Sequence, residues 1–78
     1  MDLATLKSKL VRNNVPPGQY SLYEGLKPDA WMLWEIHGSW EVYYMDEKGN
    51  QFEQDRFLFA TEEAACDFLW NKMDETAR

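Results

Sequence analysis

The sequence has one cysteine, Cys66, and one histidine, His37. A single thiol cannot form an internal disulfide, so the fold must stand without covalent staples, which fits a reducing cytosol. A cytoplasmic location is therefore expected. No apolar run approaches the ~18 residues of a membrane-spanning helix. The N-terminus has neither a long apolar stretch nor a small-residue cleavage site, so no signal peptide is expected. The four glycines stand singly at positions 18, 25, 38 and 49, which leaves no Gly-rich phosphate loop. Bases are scarce as well: eight Lys and Arg face fourteen Asp and Glu, a net charge of −6. Phosphate binding needs clustered Lys and Arg. Residues 24–56 instead hold three bases against eight acids. Neither nucleic acid nor a membrane is expected as a partner.

What the chain has in quantity is aromatic side chains. Four Trp, four Tyr and four Phe occur in 78 residues. A domain this small buries only about 60% of its unfolded surface, so its core must come from a few large side chains. Each of these rings can bury roughly 150–250 Å².

The order of elements follows from periodicity and turn chemistry. Asp2 can cap a short amphipathic helix that repeats Leu3, Leu6 and Leu10 on one face. Asn13 and Asn14 can end it, and Val15-Pro16-Pro17-Gly18 prevents its continuation. Tyr20 to Tyr23 suits a short edge strand. Ala30 to His37, Trp40 to Asp46 and Gln51 to Phe59 read as three longer strands. Gly38-Ser39 fits a two-residue type II′ hairpin loop, and Gly49-Asn50 the centre of a second turn. Thr61 can cap a C-terminal helix with Glu62 and Glu63 in its first turn, where the helix dipole favours acids. Ala65, Cys66, Leu69 and Met73 share one face of that helix. The expected fold is α+β, a single domain over residues 1–78. It comprises a three- or four-stranded antiparallel meander flanked by an N-terminal and a C-terminal helix.

The two-residue loops set a register. His37 falls opposite Trp40, Glu35 opposite Val42, Leu33 opposite Tyr44, Val42 opposite Phe57 and Trp40 opposite Phe59. One sheet face then carries Trp31, Leu33, Trp40, Val42, Tyr44, Phe57 and Phe59, and is assigned to the core. The other carries Met32, Trp34, Ile36, Tyr43, Met45 and Leu58, with Glu41, Gln54 and Arg56. A face meant for water normally alternates to polar residues. Either the N-terminal helix covers this second face, or both helices pack on the first and the second meets a partner or a second copy. Exposed apolar patches rimmed by charge mark such interfaces, and Trp and Tyr anchor them.

No catalytic, cofactor-binding or metal-binding residue is expected. His37 sits at a hairpin end and Cys66 on an apolar helix face, so the spacing suggests no Cys–His dyad. His37-Gly38-Ser39 lacks the strand-to-helix context of a nucleophile turn. The acidic run Asp46-Glu47-Lys48-Gly49-Asn50 lacks the alternating ligands and terminal Glu of a calcium loop.

The stretches Gly38-Ser39-Trp40-Glu41-Val42-Tyr43-Tyr44 and Asp46-Glu47-Lys48-Gly49, then Phe57 and Thr61-Glu62-Glu63-Ala64-Ala65-Cys66, follow Val15-Pro16 and Tyr20-Ser21-Leu22. Over residues 15–70 this pattern resembles small immunity proteins of bacterial polymorphic toxin systems. The resemblance implies a non-enzymatic protein that binds a cognate toxin and blocks it. Acidity adds that the toxin is basic, because opposite charge steers association. The expected partner-binding residues are Trp34, Glu41, Tyr43, Met45, Asp46, Glu47, Glu53 and Asp55. The alternative is a small cytosolic interaction or regulatory domain that forms a homodimer through the aromatic sheet face.

Overall fold

A computed structural model describes residues 1–76, the side chains of Glu53, Glu75 and Thr76 excepted. The order is α1 (Leu3–Arg12), a 3-10 turn (Pro17–Gln19), β1 (Tyr20–Leu22), β2 (Ala30–Ile36), β3 (Ser39–Met45), β4 (Gln51–Phe59) and α2 (Glu62–Thr76). This is the expected α+β arrangement of a sheet with flanking helices. Among the described residues, no helix is long and apolar enough to cross a membrane.

The helix ends form as their residues dictate. The Asp2 carboxylate accepts the Thr5 backbone N–H at 2.8 Å, and that bond holds its carboxyl below the ordinary aspartate range. Asn13 closes α1, and Asn14 takes the left-handed conformation at φ 59°. The Thr61 hydroxyl accepts from Ala64 N at 3.2 Å, placing Glu62 and Glu63 in the first turn of α2.

The four strands lie in the order β1-β2-β3-β4. β2, β3 and β4 form the expected antiparallel meander. β1 departs from it and pairs with β2 in parallel, Tyr20 beside Trp31 and Leu22 beside Leu33. Parallel neighbours usually need a crossover of a dozen residues or more. Here β1 is so short that the chain need return only about 10 Å, within reach of residues 23–29. Positive φ at Tyr23, Gly25 and Asp29 makes that tight return. Lys27 pins the loop by donating to the carbonyls of Pro17 and Tyr20, each at 3.2 Å.

The β2–β3 hairpin turns one residue earlier than the composition of its loop suggests. His37 (φ 50°) and Gly38 (φ 80°) both occupy the left-handed region, which is the type I′ turn rather than II′. Histidine tolerates that region better than most residues. The register therefore slides by two: Glu35 opposes Trp40, Leu33 opposes Val42 and Trp31 opposes Tyr44. A slide of two leaves every side chain on its expected face. Between β3 and β4, Trp40–Phe59 and Val42–Phe57 pair as expected. Beyond Tyr43–Arg56 the register shifts, and Met45 opposes Gln51. Three extra β4 residues are absorbed in that bulge. Gln51 thereby joins Met45 on the second face.

Both helices pack on the same side. Leu6 and Leu10 of α1 and Ala65, Cys66, Leu69 and Met73 of α2 join Leu33 and Val42 in one core cluster. Trp31, Trp40, Phe59, Phe68 and Trp70 pack around it. Cys66 lies inside this core, where burial first and the Glu62 charge second push its thiol up to about 11. The native protein should accordingly resist an alkylating thiol reagent at neutral pH and react fully once unfolded in denaturant. Equal rates in the two states would contradict the buried placement.

Candidate functional site

With both helices on the first face, no helix of the described residues covers the second. Its side chains come in rows set by the strand register. Ser21, Met32, Tyr43 and Arg56 line up across the sheet, then Trp34, Glu41 and Leu58, while Met45 stands between Ala30 and Gln51. Met32, Tyr43 and Met45 form a small buried cluster of their own. They shield one another, and the Trp34 ring meets the Tyr43 ring edge-on at 6.0 Å. Around this floor, Trp34 is 39% exposed, Ile36 37% and Leu58 62%. These are too many large apolar side chains to be scattered singly on a solvated surface.

One polar pair crosses the face. Glu41 is buried, and its carboxylate accepts from the Arg56 guanidinium at 2.9 Å. Arg56 itself is half exposed. The pair removes what would otherwise be an unpaired buried charge. Glu41 is thus an internal partner of Arg56 and not the free rim charge that alternation alone suggests. Burial raises the Tyr43 phenol above its ordinary range, and the nearby Glu41 charge adds to the effect.

The return loop after β1 adds a wall that the sequence pattern did not disclose. The Ser21 hydroxyl donates to the Gly25 carbonyl at 2.6 Å and holds the loop against the sheet edge. A cleft of about 210 Å³ results, lined by Ser21, Leu26, Met32, Trp34 and Tyr43. Leu26 is 66% exposed beside it. Leu26 belongs to no periodic segment, so no local signal marked it. Ile36, Arg56 and Leu58 were legible as members of this face, and the structure places them around the same floor.

The other acidic residues expected at the partner surface lie in and beside the β3–β4 turn. Asp46 lies in the β3–β4 turn, where one carboxylate oxygen accepts from Lys48 N at 3.0 Å and Asn50 N at 2.7 Å. Its carboxylate therefore holds the turn. Glu47 is exposed in the same turn, and Asp55 is half-buried in the irregular part of β4. Glu53 lies outside the described side chains. The structure thus brings Trp34, Glu41, Tyr43 and Met45 together on one face and places Asp46 and Glu47 in the turn that follows Met45.

Compared with protein-family models, curated proteins and solved structures, the chain has no match. Its own geometry therefore carries the functional argument.

On the first face, at the end near this turn, Tyr44 donates its hydroxyl to the Asp29 carboxylate. That bond, with burial and the Asp29 charge, pushes the phenol up to about 12. A phenol raised in the folded state adds stability that is fully present below its unfolded pKa of about 10. The contribution is lost as pH rises from there through about 12. Wild type should lose more stability across that window than Tyr44→Phe, measured by denaturant unfolding at each pH. Tyrosinate absorbance should show one fewer late-titrating phenol in the variant. Parallel stability curves for the two proteins would refute the assignment.

Proposed function

We propose that this chain is a non-enzymatic binding protein whose second sheet face docks a basic protein, and that it serves as an immunity protein against a bacterial toxin domain. The observation that carries the reading is the open apolar face itself. Two helices are available to cover the sheet, and both lie on the other side. Trp34, Ile36 and Leu58 are left facing solvent around a packed Met32–Tyr43–Met45 floor. A central aromatic anchor on a firm apolar floor is the arrangement that interface hot spots favour. The net charge of −6 supports a basic partner over a second copy, because two copies would bring like charges together. The resemblance to immunity proteins supports the toxin as the partner class.

Coexpression tests this reading. A toxin domain encoded beside this chain should kill a bacterial host when produced alone and spare it when this chain is produced with it. The two purified proteins should form a complex in size-exclusion chromatography with light scattering. Killing that coexpression does not relieve would overturn the immunity reading. A stable homodimer through this face, with no affinity for the toxin domain, would favour the interaction-domain alternative.

A further inference from the structure

We propose that the notch formed by Asp29, Trp31 and Tyr44 receives an arginine side chain presented by a protein partner. This site goes beyond the docking face, since Trp31 and Tyr44 lie on the opposite side of the sheet. The notch encloses about 160 Å³ between the 3-10 turn, the β2 start, the β3 end and α2, with Gln19 and Met73 completing its lining.

Its chemistry is that of a guanidinium receptor. The Trp31 and Tyr44 rings stand 5.5 Å apart and tilted by 56°, giving a half-exposed aromatic wall. Cations are attracted to such ring faces, Trp most strongly, and the flat guanidinium also stacks on them. Asp29 supplies the counter-charge from an exposed position. One of its carboxylate oxygens accepts the Tyr44 hydroxyl. Among the described residues, the other oxygen accepts no hydrogen bond. A planar donor fork can use that oxygen while its face lies against a ring. Asp46 and Glu47 add negative potential, both being close enough to Tyr44 to raise its phenol pKa further.

The chain already places a cation on the adjoining aromatic surface. Lys72 Nζ lies 5.4 Å from the centre of the Phe68 ring, and Phe68 meets Trp31 edge-on at 6.5 Å. Asp29 is held in position by its backbone: φ is 57°, and its N–H donates to the Asp46 carbonyl at 3.0 Å. The carboxylate therefore waits at the mouth of the notch before any ligand arrives.

The test uses the full chain and titrates arginine amide, norleucine amide and the blocked peptide acetyl-Gly-Arg-Gly-amide, followed by amide and indole NMR shifts. Saturable shifts confined to Gln19, Asp29, Trp31 and Tyr44 are expected for both arginine probes, with none for norleucine amide. Asp29→Asn keeps the acceptor for Tyr44 and tolerates the left-handed backbone, but removes the charge. It should weaken arginine binding about tenfold. Tyr44→Phe frees the Asp29 oxygen that the Tyr44 hydroxyl occupies and should bind at least as tightly as wild type. Non-saturating shifts, unchanged affinity in Asp29→Asn, or shifts centred on Trp34 would overturn the proposal. Tighter binding of free arginine amide than of the peptide would overturn its assignment to a protein segment. The two tests fail separately: coexpression reads neutralisation by the whole chain, whereas the titration reads the notch alone.

Discussion

Replacing Val42 with Asp is expected to abolish cooperative folding. Val42 is fully buried in the core cluster, opposite Leu33 on one side and Phe57 on the other. A carboxylate there loses its hydration and finds no base, since the core around it is aliphatic and aromatic. An uncompensated buried charge costs several kcal/mol even after relaxation. At ~0.05–0.15 kcal/mol per residue, a chain of 78 residues holds roughly 4–12 kcal/mol in all. The substitution therefore removes most or all of the stability. Leu58→Asn is the control, because Leu58 is 62% exposed on the open face and a neutral polar side chain there sets no like charge against Glu41 across the strands. Exposed substitutions usually fall within about 0.5 kcal/mol. Thermal melts followed by far-UV circular dichroism decide the matter. Equal midpoints for the two variants would show that the faces are misassigned.

Trp34→Ala is expected to break partner binding while sparing the fold. The indole is 39% exposed, so truncation removes a large contact surface without opening a sealed core. Its ring also supports Tyr43 across the strands, which carries the loss into the floor of the face. Central aromatic anchors typically cost about 2 kcal/mol or more on truncation, which is roughly a 30-fold loss of affinity. Most of that loss should appear as faster dissociation. In the coexpression assay the variant should protect poorly, and biosensor kinetics with the purified toxin domain should show the faster off-rate. Its melting transition should stay cooperative. Full protection by a folded Trp34→Ala protein would move the interface off this face. Tyr43→Ala is a poorer probe, because Tyr43 is 2% exposed and its loss also opens a cavity.

Much of the candidate site was legible in the alternation of β2 and β3. Trp34, Tyr43 and Met45 were readable as one face because side chains alternate strictly along a strand. The role of Glu41 was not. Its burial depends on Arg56, a residue on the next strand, 15 positions away. The cleft beside Trp34 depends on how the Tyr23–Asp29 segment folds back, which no periodicity describes. The Asp29–Tyr44 pair likewise joins residues from a loop and a strand end.

By itself the sequence determined both helices with their caps, the three long strands and the division of the sheet into two faces. These rest on local chemistry: Asp2 and Thr61 as caps, the spacing of Leu6 and Leu10, and a period of two in each strand. The face division survived a hairpin that turns at His37-Gly38, because a register slide of two residues conserves parity. Only the tertiary structure decided the parallel pairing of β1, the β4 bulge and the side on which α1 packs. Each is a choice between distant partners that local pattern leaves equivalent. The apolar stripe of α1 could lie on either apolar sheet face. Its burial against α2 and the first face joins Leu6 and Leu10 to Leu69 and Met73 in one core. That single larger core excludes water from both helices and the first sheet face at once, and it leaves the other face open.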